Sequence, residues 1–280
     1  MTAPVAFITG ASRGIGAESA VALARAGYRI AITARTLSDG ERHDHVGNDT
    51  PLPGSLEATT LAVQRVGGEA LPLRGDILDS ASMVAALDQA LTHFGQVDLL
   101  FNNAVYQGTG NLEPLLAVDD TQLMQIYRAN VLTPLALVQR ALPGMVSRGR
   151  GTVFNMISAT AYTNPPAPAD QGGWGFAYPS SKAALARMAG SLRVEHPDCN
   201  LRAFNLEPGL VVTEVMRLAG IDDEVMARFK PCTPAAIAAV VAWLAQNEPD
   251  PAWQPEDVLH LPAIAKSLGL LASPSLLEEN

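Results

Sequence analysis

The sequence predicts an α/β protein, one doubly wound and mostly parallel sheet in a single domain over residues 1–280. Three observations carry that expectation. Short apolar runs bounded by glycine or polar residues alternate with longer Ala- and Leu-rich stretches of helical period, as in a sheet wound with helices on both faces. Hydrophobic residues make up 48% of the chain and aromatics 5%, an aliphatic mixture suited to strands buried on both sides. No internal repeat or linker divides the chain.

Residues 5–9 read as a buried strand that stops at Gly10, and 16–25 as a helix closed by Gly27. Residues 28–34 form the second strand. The stretch 37–54 mixes Ser, Asp, His, Asn and Gly with two prolines, too polar for a core element, so a surface insertion is expected there. A helix over 56–66, a strand over 70–73, a helix over 81–94 and a strand over 97–101 follow. A long helical pattern covers 119–146, with Pro134 expected to bend it. Next come a strand at 152–157, a Pro/Gly-rich loop at 164–175, a helix at 177–194 and a strand at 201–206. Residues 213–230 are expected to cover a substrate pocket, with Leu218, Ile221, Val225, Met226 and Phe229 as apolar lining. Thr233 and Pro234 open a last helix that runs to Gln246.

With 19 basic and 28 acidic side chains the net charge is −9, which argues against nucleic acid or an anionic membrane as a partner. Cys199 and Cys232 have neither a disulfide framework nor metal spacing. The pair His43 and His45 around Asp44 lacks a third ligand, and no metal site is expected. His196 and His260 read as surface or packing residues. No signal pattern follows Met1, and no apolar run nears the ~18 residues of a membrane span; a cytoplasmic protein is expected.

Function concentrates at the first turn. Thr9-Gly10-Ala11-Ser12-Arg13-Gly14-Ile15-Gly16 lies between a strand and a helix. Glycines there permit a tight turn and bring Ser12, Arg13, Ile15 and the helix N-terminus against a pyrophosphate, a Rossmann-type site. The second strand ends Ala34-Arg35-Thr36. An acid at this point would accept from a ribose 2′-hydroxyl; Arg35 together with Arg13 suits a 2′-phosphate instead, so the expected cofactor is NADP(H).

Tyr178 and Lys182 stand four residues apart at the start of a helix, which puts both on one face. A phenol of pKa about 10 is a weak acid–base catalyst at neutral pH, and a neighbouring ammonium is expected to lower it. Ser158 follows the strand 152–157, at the sheet edge where ligands bind, placed to polarise a carbonyl oxygen.

These elements resemble the short-chain dehydrogenase/reductase family from Val5 to about Gln246. Beyond the glycine loop and Tyr178-Pro179-Ser180-Ser181-Lys182, the matching pieces are Asp76-Ile77, Asn102-Asn103-Ala104, Asn130, the stretch 151–158 and Pro208-Gly209-Leu210-Val211-Val212-Thr213. The resemblance implies that Asp76 and Ile77 flank the adenine, and that Asn102 and Ala104 support a ribose. It implies that Asn130 holds a water linking Lys182 to solvent. Pro208, Gly209, Val211 and Thr213 would contact the nicotinamide side.

Three features depart from the family pattern. Val105 stands where glycine is usual. The loop between Ser158 and Tyr178 is long, with Trp174 or Phe176 expected as a lid contact, and the usual glycine-rich ending is missing. The resulting expectation is an enzyme that moves hydride between a carbonyl and a secondary alcohol, of medium size and mainly hydrophobic, in a homo-oligomer (dimer or tetramer). The alternative is a catalytically silent NADP(H)-binding sensor or scaffold, against which the intact Ser/Tyr/Lys set argues.

Overall fold

The computed structural model describes residues 2–43, 51–212, 231–253 and 258–277. Its strands are β1 Val5–Thr9, β2 Arg29–Ala34, β3 Ala70–Arg74, β4 Leu99–Asn102, β5 Arg150–Met156, β6 Asn200–Glu207 and β7 Val258–His260. They form one sheet in the order β3-β2-β1-β4-β5-β6-β7. Every adjacent pair runs parallel. The helices are α1 Gly14–Arg25, α2 Leu56–Arg65, α3 Ser80–Phe94, α4 Asp120–Tyr127, α5 Thr133–Ser147, α6 Ala177–Glu195, α7 Pro234–Gln246 and α8 Leu261–Ser267.

Both faces of the sheet are covered. Alternate residues of β1 divide between two cores: Ile8 packs with Leu23 of α1, Val63 of α2, Val240 of α7 and Ile264 of α8. Phe7 packs on the other side with Leu87 of α3, Leu137 of α5 and Leu192 of α6. A period of two with apolar residues on both faces explains why the strands read as continuous hydrophobic runs.

Helix starts follow cap chemistry. The Ser55 hydroxyl accepts from the Ala58 N–H, and Thr233 from that of Ala236. Asp119 and Gln122 form a reciprocal capping box at α4. Each such cap stabilises its helix by about 1 kcal/mol.

Two expectations are corrected. Residues 119–146 do not form one bent helix: α4 ends at Tyr127, a π-helical turn spans Arg128–Leu132, and α5 begins at Thr133. Pro134 has no N–H to give the carbonyl of Asn130, so the break falls in the turn before the proline. Pro143, inside α5, is accommodated without interrupting it. The sequence reading also stopped at Gln246, whereas β7 and α8 follow; a three-residue strand is too short to show periodicity.

β1 lies between β2 and β4, so the chain leaves its C-terminal end in opposite directions on the two sides. Such a switch point opens a crevice at the carboxyl ends of the strands.

Candidate active site

That crevice is a cavity of about 750 Å³. One wall is the loop after β1, where Gly10, Ser12, Arg13, Gly14, Ile15 and Gly16 line it. Gly10 has φ +67, and a Cβ there would lie 2.8 Å from Cα of Ala104. A Cβ on Gly16 would collide with the carbonyl oxygen of Gly10. Both positions therefore need glycine to keep the loop folded against the sheet. Thr9 fastens it from below: its Oγ1 accepts the N–H groups of Asn103 and Ala104, each at 3.0 Å. Arg13 begins α1 without a side-chain cap on the first turn, so the helix N-terminus presents its N–H groups as an anion site.

Arg35, Thr36, Asp76 and Ile77 line the neighbouring end. The Arg13 guanidinium is also engaged by the insertion: it donates to the carbonyls of Pro53 and Gly54, each at 2.9 Å, and to Thr36 Oγ1 at 3.3 Å. The insertion, read as a detached surface loop, is tied to the cleft at this point, and Leu52 is buried. Arg74 donates to the Arg35 carbonyl and forms a two-pronged pair with Glu41; the guanidinium holds the Glu41 carboxyl down at about 2.

At the other end Ala104, Tyr178, Lys182, Pro208, Gly209 and Val211 line the same cavity. Tyr178 and Lys182 lie on α6, one turn apart. The Lys182 stem is 2% exposed, and its Nζ donates to the Met156 carbonyl at 2.8 Å. Ser158 stands two residues beyond β5. Its hydroxyl accepts from the Thr160 N–H at 3.3 Å and the Thr160 hydroxyl at 3.1 Å.

The electrostatics correct the sequence reading. Burial pushes the Tyr178 phenol up to about 12, against a lowering hydrogen bond from Ser158, while the Glu207 charge raises it further. Burial also brings Lys182 down to about 7. Loss of water is the largest cause at both groups, and each then favours its neutral form; Lys182 is buried, whereas Tyr178 keeps part of its surface towards the cavity.

Asn130 lies in the π-helical turn, 1% exposed. Its Oδ1 accepts from the Tyr106 N–H and its Nδ2 donates to Ser181 Oγ, each at 3.0 Å. The side-chain amide thus ties the wall after β4 to α6.

The model of the short chain dehydrogenase family matches residues 4–223. The chain belongs to that family. Among curated relatives of this short chain dehydrogenase is the NADP-dependent 3-hydroxy acid dehydrogenase of Schizosaccharomyces pombe, 31% identical over 242 residues, 84% of each chain. A metagenomic short-chain oxidoreductase solved in complex with NADP has 27% identity and a TM-score of 0.67, covering 87% of this chain and 90% of that one. An alcohol dehydrogenase of the archaeon Thermococcus sibiricus, complexed with 5-hydroxy-NADP, has 26% identity and a TM-score of 0.66 over 92% and 93%.

Against family expectation, the short chain dehydrogenase cleft differs in detail. Asn102 lies within β4, its amide donating to Asn155 Oδ1 at 2.9 Å. Its neighbour Asn103 lines the cavity and donates to the carbonyls of Thr9 and Gly10. Strand alternation decides this, since consecutive side chains point to opposite faces. Val105 lines the cavity, whereas Ser158, Trp174 and Phe176 are absent from its lining. Gly175 instead packs on the carbonyl of Glu113. Sequence reasoning missed Tyr106, Gln107, Thr109 and Gln125 on the wall, with the Tyr106 hydroxyl donating to Gln125 Oε1 at 2.9 Å. Thr213 and the expected apolar lining at 218–229 lie outside the described residues, as do Asp44 and His45.

His260, read as a surface or packing residue, is exposed and lies beside the buried Glu207. No grouping of three or more metal-ligating side chains occurs among the described residues, and no helix there is long and apolar enough to cross a membrane.

Proposed function

We propose that this chain interconverts a carbonyl and a secondary alcohol with NADP(H), Tyr178 acting as general acid and base. The observation that carries the reading is the shared cavity: Tyr178 and Lys182 line it together with the glycine loop and Arg35. The glycine cradle and the uncapped α1 N-terminus fit a dinucleotide pyrophosphate, with Ser12, Arg13, Gly14 and Ile15 around it. Arg35 and Thr36 suit the 2′-phosphate, Asp76 and Ile77 the adenine, and Pro208, Gly209 and Val211 the nicotinamide end. Bound there, NADP(H) supplies or takes up the hydride.

The protein's own groups handle the proton. A phenol held at about 12 is protonated at neutral pH, so Tyr178 is ready to donate to the oxygen of a carbonyl being reduced. Ser158 stands near enough to Tyr178 to lower its phenol, and on a turn of its side chain from Thr160 towards the cleft it would steady that oxygen. Lys182 sits beneath the phenol and holds the nicotinamide ribose, while the Asn130 carbonyl offers a water site for proton return. Reduction is the direction this protonation state favours. Gln107, Thr109 and Gln125 on the substrate wall suit a small molecule with a neutral polar group. Exposed Leu115, Leu116 and Met124 support a homo-oligomer.

Tyr178→Phe tests the reading: turnover with NADPH falls by roughly 10²–10⁴-fold while NADPH affinity stays near wild type. Undiminished turnover in that variant would end it. NADPH binding by the wild-type chain with no oxidation across a broad carbonyl panel would favour a sensor.

A further inference from the structure

We propose that Glu207, paired with His260, is a positioning residue that holds the turn 208–211 against the catalytic end of the cleft. The proposal rests on the oxidoreductase reading for its kinetic half; its binding half stands apart from turnover.

Glu207 is the last residue of β6 and 2% exposed. A carboxylate buried at a strand end is costly unless donors meet its oxygens. Here Oε1 accepts the Gly209 N–H at 2.8 Å, while Oε2 accepts no hydrogen bond from the described residues and has the half-exposed His260 Nε2 at 3.1 Å, an ion pair when the imidazole is protonated. His260 ends β7 directly opposite Glu207 in the ladder. Its Nδ1 accepts the Ala263 N–H at 3.3 Å, capping α8. That cap needs a bare Nδ1, so the neutral ring carries its proton on Nε2, the nitrogen nearest the Glu207 carboxylate.

The turn is gripped from its other side as well. Gly209 has φ +65, and a Cβ there would lie 2.9 Å from Pro262 Cγ in the first turn of α8. Leu210 accepts from the Cys232 N–H at 3.0 Å, and Val211 pairs with Cys232 in a single bridge. Pro208, Gly209, Leu210 and Val211 all line the cavity. One carboxylate thus joins β6, β7 and α8 to the segment that closes the catalytic end.

Its charge has a second effect. The titratable groups facing Glu207 are His260 from β7, Tyr178 from α6 and Cys232 beside the turn. Burial is the main cause that raises Tyr178 and Cys232, and the Glu207 charge adds to it at both, so Glu207 helps keep the catalytic phenol protonated.

The test uses the full chain with Glu207→Gln and His260→Asn. Gln keeps an oxygen for the Gly209 N–H but sets an amide N–H₂ against His260 Nε2–H; Asn keeps a good cap for α8. NADPH affinity is read by cofactor fluorescence, and the alkaline limb of carbonyl reduction by its pH profile. Both variants are expected to weaken NADPH binding roughly tenfold, the scale of one hydrogen bond lost or weakened at the turn. Glu207→Gln also moves the alkaline limb towards lower pH, while His260→Asn, which leaves the carboxylate, does not.

Wild-type NADPH affinity and an unmoved pH profile, with or without a lower melting temperature, overturn the proposal. If Glu207→Gln does not fold, the affinity of His260→Asn alone decides it. Since binding is measured without catalysis, an inactive wild-type chain would sink the oxidoreductase reading and leave this comparison intact.

Discussion

Nζ of Lys182 donates to the Met156 carbonyl and stands 5.8 Å from the centre of the Tyr178 ring. The lysine is therefore anchored to the end of β5 and lies over the ring face. α6 carries both side chains and β5 supplies the anchor, so helix and sheet must dock before the pair exists.

Stability should follow pH in two windows. Lys182 is lowered from 10.5 to about 7 in the fold. Between these values the unfolded chain binds the extra proton, so the stabilising contribution is present above 10.5 and is lost as pH falls towards 7. Tyr178 is raised from 10.0 to about 12; its contribution is complete below 10 and is lost as pH rises through 12. Urea unfolding at pH 7 and 9.5 should show wild type gaining on Lys182→Met at the higher pH. Tyrosinate absorbance should show Tyr178 and Tyr28, both raised by burial, titrating late among the five tyrosines, with the Tyr178 step absent in Tyr178→Phe. A pH-independent gap between the two proteins in urea would contradict the burial argument for Lys182.

Arg35→Asp should reverse the cofactor preference. The acid would repel a 2′-phosphate and accept from a 2′-hydroxyl. Charged hydrogen bonds contribute about 1.5–3 kcal/mol each, so the NADPH-to-NADH ratio of kcat/KM should fall by roughly 10–100-fold. An unchanged ratio would place phosphate recognition elsewhere.

Gly16→Ala should loosen the cradle. The added methyl meets the Gly10 carbonyl oxygen and lies 2.6 Å from Asn103 Nδ2. Those atoms belong to the packed loop and can yield only by moving it, a cost of about 1–3 kcal/mol. Calorimetric titration should find NADPH affinity lowered at least tenfold, with a lower melting temperature. Gly27→Ala is a useful comparison, because nothing lies within 4 Å of a Cβ there and its cost is confined to a φ of +91; it should lower stability and spare affinity. Equal affinity losses in the two variants would refute the cradle argument.

Periodicity and turn chemistry made much of the fold legible. β1 begins and ends where its apolar run does, and α7 starts at the Thr233–Pro234 signal and stops at Gln246. The Tyr178–Lys182 spacing placed both side chains on one helix face. These features are local: a hydrogen-bonding period, a missing N–H or a cap acts within a few residues of the chain.

Where β4 changes face was decided by the sheet, which sends Asn103 and not Asn102 into the cavity. Docking across 40 residues tied Arg13 to Pro53, and pairing of β6 with β7 brought His260 to Glu207. The protonation of Tyr178 reversed its expected direction for the same reason. Spacing along a helix fixes which groups are neighbours, but only tertiary packing decides how much water they lose and brings the Glu207 charge, which acts in the same direction, to Tyr178.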